Sequence, residues 1–449
     1  MQRTFLAILA LLMSGCAAIH EKTLDNGLRV IVKEDHRSPV MVSQIWYKVG
    51  SIDEPEGLTG ISHALEHMMF KGTARLKPNE FSQLIAEQGG RENAFTSYDY
   101  TAYYQQLEKS RMSISFELEA DRMQNLALSA EEFAKEIQVV MEERRLRTED
   151  QPDAVLGEKF MSVTYEKHSY RNPIIGWMSD LERMKVEDLR RWYARYYAPN
   201  NATLVVVGDV KPSEIFALSE KYFGPVPRRA VSAPAIPPEP AQTQERRTRV
   251  AAPAELPHII LGYHVPVLTR DNEWEPYALA VAAGVLDGGN AARLSREVVR
   301  ERRIAATVNV DYTPIARGAN LFVLEGTPSQ GRRIQELEQA FRAQIARLRE
   351  ELVSEQELRR IKAQVVAQDV YERDSMYYQA MQLGRLATIG LDLSLMEDYS
   401  KHLQNVTAEQ VRAVVRKYLL DTNLTVSVLD PLPIKAGQKS VPSGGAHVH

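Results

Sequence analysis

The chain has 449 residues, 44% hydrophobic and 25% charged, with a formal net charge of −4. That length argues for two domains or more, and the small net charge with no long basic block removes the electrostatic case for a nucleic-acid partner. With one cysteine in the whole chain, no internal disulfide is possible and stability must come from packing.

The first residues, MQRTFLAILALLMSGCAAIHEK, place Arg3 before an apolar run from Phe5 to Met13 that is too short to cross a bilayer. This is the pattern of an export signal over residues 1–16. Cys16 follows Leu12-Met13-Ser14-Gly15 and resembles the lipidated cysteine of a bacterial lipoprotein, with Met13 a less usual occupant than leucine. Plain cleavage near Ala17 or Ala18 is the alternative. Either way the expected location is the bacterial cell envelope, in the periplasm, with membrane attachment only through an N-terminal lipid.

Two alternating runs, NGLRVIVKED and VMVSQIWYKVGS, predict strands joined by a short loop. A helix is expected from Thr59 as its cap to about Phe70, with Gly72 just past its end. NAFTSYDYTAYYQQL (93–107) reads as one further strand, and helices are expected at about 109–127, 129–149 and 179–197. Residues 225–245, PVPRRAVSAPAIPPEPAQTQE, are proline-rich without apolar period and read as a semi-rigid linker. Beyond it, strands are expected near 246–266, 306–313 and 319–326, and a long charged helix at 332–351.

The two halves repeat. EDLRRWYARYYAPNNATLVVVGDV (187–210) lies over EQVRAVVRKYLLDTNLTVSVLDP (409–431) at a constant offset, so that Leu189 falls on Val411, Tyr196 on Tyr418 and Asn201 on Asn423. Both copies read as helix, turn and buried β-branched strand. The expected fold class is α+β: two homologous domains, 22–224 and 246–434, each a mostly antiparallel sheet packed with helices. A disordered polar tail, 435–449, would follow.

Within GISHALEHMMFKGT, His63 and His67 stand one helical turn apart, so both imidazoles can reach one ion. Glu66 lies on the same side, while Ile61, Leu65, Met68 and Met69 face inward. The chain's composition produces such a pentapeptide by chance about three times in a hundred, so the motif alone is only suggestive. Further on, Ser129 and Glu132 form a capping box that fixes the register of the next helix. Glu136 and Glu143 then fall two turns apart on one face. They are placed to supply a ligand and a supporting carboxylate; a solvated acidic stripe shared with Glu131, Glu132 and Glu142 is the other reading.

His63-x-x-Glu66-His67 followed at a distance by Glu143 resembles the inverted zincin pattern of the pitrilysin, insulin-degrading enzyme and mitochondrial processing peptidase family. GGRENAFTSYDYTAYY, YRNPIIGW, YYAPNNATLVVVGDV and KYFGPVP are similar to segments of that family, over about residues 22–432. The two-domain length is similar to its bacterial, processing-peptidase-like branch. The resemblance implies one Zn2+ per chain on His63, His67 and Glu143. It also implies Glu66 as the general base that takes a proton from the attacking water, and Glu136 as a catalytic-site carboxylate orienting a ligand imidazole. Asn93, Ala94, Phe95 and Thr96 would take up a peptide by strand addition, with Arg300 a further substrate contact. The implied function is a zinc metallopeptidase, an endopeptidase or oligopeptidase of unfolded or short peptides. The alternative is a non-catalytic assembly or peptide-binding subunit.

The chain also departs from the family pattern. ALAVAAGVL (278–286), at the matching position of the second half, carries no His or Glu. Where family members place a tyrosine seven positions after Arg300, this chain has Thr307, whose hydroxyl reaches less far. The expected partner is therefore a homologous subunit that carries the Arg–Tyr pair; alternatively a second copy of this chain contributes Tyr312. His168 reads as structural, and His447 and His449 as part of the polar tail.

Overall fold

The computed structural model describes residues 18–232, 236–269 and 274–434. The expected signal with Cys16, and the tail with His447 and His449, lie outside the described residues.

The elements of the first half that bear on function are β1 (Ile19–Thr23), β2 (Arg29–Glu34), β3 (Val40–Tyr47), α1 (Ile61–Met68), β4 (Arg91–Thr96), β5 (Thr101–Glu108), α2 (Ala130–Arg144), α3 (Pro152–Thr164), α4 (Val186–Tyr196) and β6 (Ala202–Gly208). Those of the second are β7 (Arg246–Pro253), β8 (His258–Val265), α5 (Glu275–Asp287), β9 (Ala305–Tyr312), β10 (Asn320–Pro328), α6 (Met376–Ile389), α7 (Ala408–Tyr418) and β11 (Leu424–Leu432). They form two sheets, ordered β1-β2-β6-β3-β5-β4 and β7-β11-β8-β10-β9. Apart from β1 the orders match strand for strand. In both, the pair at one end is parallel (β2 with β6, β7 with β11) and the other pairings are antiparallel. The chain is a mixed α+β protein built from two like halves.

The repeat seen in the sequence is a repeat in space. Residues 186 and 408 open α4 and α7, and residues 202 and 424 open β6 and β11, the same offset at both points. Asn201 donates to the Tyr196 carbonyl at 2.9 Å, and Asn423 to the Tyr418 carbonyl at 3.0 Å. A half-buried amide satisfying the open carbonyl at a helix end explains why asparagine occupies both positions.

The first sheet is buried on both faces, which is why β6 reads as an unbroken apolar run. Leu204 and Val206 join the core under α1, α2 and α4, whereas Val205 and Val207 join the core of the second half. That second face is covered by α6. Gly384 of α6 lies flat on Trp46, where a Cβ would stand 2.1 Å from the indole. The reciprocal contact places α3, through Leu156 and Phe160, on Ile260 and Leu429 of the second sheet. Gly262 lies under Phe160 in the same way. Each half thus lends a helix to cover the other's sheet. Residues 18–224 or 246–434 produced alone are expected to lose cooperative thermal unfolding and to bind a hydrophobic dye, because each would expose the apolar face the other covers.

Two local expectations are corrected. Residues 93–107 are not one strand but a hairpin of β4 and β5, with Ala94 opposite Tyr103. The turn at Ser97-Tyr98-Asp99-Tyr100, closed by the Ser97 amide on the Tyr100 carbonyl at 2.8 Å, has neither Gly nor Pro, and its tyrosines favour strand locally. Thr59 is not the cap of α1. Gly60, with φ +84°, holds that position, and Thr59 instead donates to Asp180 at 2.6 Å and accepts from the Trp177 amide at 2.9 Å. The helix also stops at Met68, short of Phe70. Residues 225–245 contain no helix or strand among those described, yet the segment is tethered. Glu239 accepts from the amides of Glu166, Lys167 and His168 at 2.7 to 2.9 Å. No helix among the described residues is long and apolar enough to cross a membrane.

Candidate metal centre

Helix α1 is short, so its place depends on what holds its ends. Its buried face is Ile61, Leu65 and Met68, each at most 1% exposed. Its open amides are satisfied by Glu54, which accepts from Gly60 at 2.7 Å and from Ser62 at 2.9 Å. Gly60 faces Gly176 (φ +86°) so closely that a Cβ on either would come within 2.5 Å of a carbonyl oxygen of the other segment. This close approach explains the glycine in YRNPIIGW. Sequence reading missed Glu54, because nothing in GSIDEPEG marks which acidic residue folds back onto the helix. Replacing Glu54 by Gln turns one acceptor into a donor facing an amide. It is expected to cost about 1–3 kcal/mol of stability, read from denaturant unfolding.

On α1 the imidazoles of His63 and His67 are 4.7 Å apart between ring centroids. Helix α2 packs across them, with Ser129 accepting from the Glu132 amide at 3.1 Å to start it. Glu136 and Glu143, two turns apart, bracket one imidazole. Glu136 meets His67 Nδ1 at 2.9 Å on one edge, and Glu143 approaches His67 Nε2 at 3.3 Å on the other. Glu143 also lies 3.8 Å from His63 Nε2. Immediately after it the helix widens into a π-helical stretch, Arg145–Glu149, which returns Arg147 to hold the second Glu143 oxygen at 2.8 Å.

The donor atoms of His63, His67 and Glu143 lie within 4.8 Å of one another. A tetrahedral ion with zinc–ligand bonds near 2.1 Å needs its donors about 3.4 Å apart, so two nitrogens and one carboxylate oxygen fit zinc after small side-chain movement. Three protein ligands leave one position open, the arrangement of a catalytic rather than a structural site. Glu66 is outside the donor set. Its carboxylate takes the Thr96 hydroxyl proton donor instead, linking it to the last residue of β4.

Electrostatics divide these groups. Burial, reinforced by His67, lowers His63 to about 4, so it is neutral and ready to ligate. Burial also pulls His67 down, but its hydrogen bonds to the Glu136 and Glu143 carboxylates outweigh it and push the imidazole up to about 9. Glu143 is held below the usual carboxylate range, first by its bond to His67. Burial raises Glu66, the direction that makes a carboxylate a better base near neutrality. Because His67 must lose its proton to ligate, zinc affinity is expected to fall about tenfold per unit as pH drops from 8 to 6, read by competition against a chelator. Glu136, whose other oxygen holds Lys71 at 2.7 Å, orients the ring without joining the donor set. Glu136→Gln is expected to weaken zinc binding by about 10–100-fold.

The other expected site residues fall in two groups. Asn93, Ala94, Phe95 and Thr96 all lie on β4, the outer edge of the first sheet, with a hydrogen-bonded neighbour on one side only. Phe95 is partly committed elsewhere, edge-on to Trp46 with centroids 5.4 Å apart. Arg300 is exposed, and its guanidinium bonds the carbonyls of Ser295 and Asn290 in its own segment. Thr307 is exposed on β9, the edge of the second sheet. Tyr312 does not serve as a presented phenol: it is 8% exposed and its hydroxyl donates to the Pro266 carbonyl at 2.6 Å. A tyrosine at the buried end of β9 packs inward in the single chain. His168 is buried and accepts from the Tyr170 amide at 3.2 Å, a structural role.

Two family models match. Residues 29–177 match "Insulinase (Peptidase family M16)" and residues 183–365 match "Peptidase M16 inactive domain". The chain is 31% identical over 421 residues to the zinc protease PqqE of Helicobacter pylori, covering 92% of this chain and 93% of that protein. A crystal structure of a protease from Helicobacter pylori superposes with a TM-score of 0.88 at 29% identity, over 92% of this chain and all of that one. The periplasmic protease PqqL of Escherichia coli shares the fold, with a TM-score of 0.78 at 19% identity over 92% of this chain and 47% of that one. Carrying the His-x-x-Glu-His helix, the distant glutamate and the duplicated fold over nearly its whole length, the chain belongs to the M16 (insulinase) family of zinc peptidases.

Proposed function

We propose that the chain is a zinc-dependent endopeptidase or oligopeptidase of the bacterial envelope that cleaves unfolded or short peptides. The observation that carries this reading is the convergence of His63, His67 and Glu143 beside a separate half-buried carboxylate, Glu66, tied to the end of an unpaired sheet edge. Zinc held by the three ligands supplies Lewis acidity and an acidified water at neutral pH. The chain's own residues do the rest. β4 pairs with the peptide backbone and lays it along the edge, which selects extended substrates with little demand on side chains. Thr96, closing that strand, orients Glu66 toward the bond to be cut. Glu66 takes the proton of the attacking water and passes it to the leaving amine. Glu136 and Lys71 hold His67 in one ring orientation.

Two observations support a two-subunit form: Thr307 stands where the family pattern has tyrosine, and Tyr312 is buried. In this reading the chain is the zinc-bearing half, and a homologous subunit supplies the Arg–Tyr pair across the cleft. The name of the Escherichia coli neighbour, a periplasmic protease, agrees with an envelope location, as does the N-terminal signal pattern.

The test is cleavage of a quenched, unstructured peptide by zinc-loaded protein lacking residues 1–16, before and after chelation. Turnover lost to the chelator and restored by zinc supports a self-sufficient peptidase. A folded, zinc-bound protein without turnover supports the two-subunit form, and a folded protein that takes up no zinc overturns the proposal.

A further inference from the structure

Arg317 belongs to the second half, in the connection between β9 and β10, yet its side chain is spent entirely on the first. Its guanidinium makes a two-pronged pair with Asp53, at 2.7 and 2.9 Å, with side-chain exposures of 10% and 1%. Its amide donates to Asp99 at 3.1 Å, and one guanidinium nitrogen reaches the Asp99 carbonyl at 3.3 Å. Tyr170 completes the cluster, donating to Asp99 at 2.6 Å and accepting from the Gly318 amide at 3.1 Å. A fork matched to a carboxylate is the strong form of a charge pair.

The two aspartates lie beside the segment that carries the two histidines and the strand edge that borders Glu66. Asp53 closes the short 3-10 turn Ser51–Asp53 and precedes Glu54, whose carboxylate holds the Gly60 and Ser62 amides one residue ahead of His63. Asp99 lies in the turn between β4 and β5, just after Thr96 and its bond to Glu66. The turns rest directly on each other. The Ser51 and Ile52 amides donate to the Ser97 and Tyr98 carbonyls at 3.2 and 2.9 Å, and a Cβ on Gly50 would stand 2.4 Å from the Tyr98 oxygen. Without the guanidinium, the buried Asp53 carboxylate would keep only the Gly50 amide, at 3.0 Å, and lose its compensating charge, and its link to the Asp99 carbonyl would be gone.

We propose that Arg317 is a positioning residue of the metal centre: by pairing with Asp53 and Asp99 together it sets the zinc helix α1 and the substrate edge β4 in register, so that the half lacking zinc ligands fixes the geometry of the half that has them. This rests on the reading of His63, His67 and Glu143 as a zinc site. It gives the second half a function that its missing ligands leave open.

The test compares two arginines that both bridge the halves. Arg37 pairs with Asp35 at 2.6 Å and with Asp374 of the second half at 2.7 Å, and touches neither turn. In Arg317→Lys, which keeps the charge and loses the fork, amide hydrogen exchange should accelerate within residues 50–68 and 93–101 only. Zinc affinity should drop about tenfold, and any kcat should drop about tenfold with KM held within about twofold. Arg37→Gln should leave exchange in those segments and zinc affinity unchanged. Should Arg317→Lys not fold, Asp53→Asn is read in its place with the same expectations. Unchanged exchange in both segments, unchanged zinc affinity, or the same changes in Arg37→Gln overturns the proposal. A wild type without zinc or turnover counts instead against the peptidase reading, because the exchange pattern is measured without either.

Discussion

Glu66→Gln is expected to lower peptide cleavage by about 10²–10⁴-fold while leaving zinc stoichiometry unchanged. The amide keeps the shape of the side chain and can still accept from Thr96, so α1 and β4 stay where they are. Glu66 is absent from the three converging donors, so the ion keeps its ligands. What is lost is an atom able to take a proton. Zinc content and single-turnover cleavage measured on the same preparation separate the two effects; wild-type rates in the variant would remove Glu66 from the mechanism.

The second large effect distinguishes Glu143 from its neighbour. Glu143→Gln removes the only anionic donor of the three and is expected to abolish retention of zinc through dialysis, and with it all turnover. Glu142→Gln is expected to change neither. The sequence allows both residues to belong to a solvated acidic stripe. In the fold, Glu142 is 59% exposed and pairs with Arg145, whereas Glu143 is 17% exposed and faces both histidines. Equal zinc loss in the two variants would return the stripe reading and remove the proposed ligand set. The comparison also bears on Arg147: with a neutral amide at 143 its guanidinium loses a charged partner, but that guanidinium is exposed and inexpensive to leave in water.

The sequence by itself determined what depends on local period. The one-turn spacing of His63 and His67, the two-turn spacing of Glu136 and Glu143, and the helix–turn–strand repeat ending in Asn201 and Asn423 all survive into the structure because a helix or strand imposes its own spacing on its residues. The turn at 97–100 was not legible, since its residues favour a strand and only the close approach of Gly50 with Asp99 bound to Arg317 explains the reversal. Tertiary structure alone decided that Glu54 caps α1, that Gly60 and not Thr59 begins it, that Tyr312 is buried, and that α3 and α6 each cover the other half's sheet. Apart from Glu54, which folds back through an irregular loop onto amides six and eight positions on, these facts join residues tens to hundreds of positions apart, and a contact across such a distance leaves no period in the chain. Helical spacing therefore offered the candidates and the family resemblance named the donors, while what holds them near one another was decided by packing between segments that the sequence keeps apart.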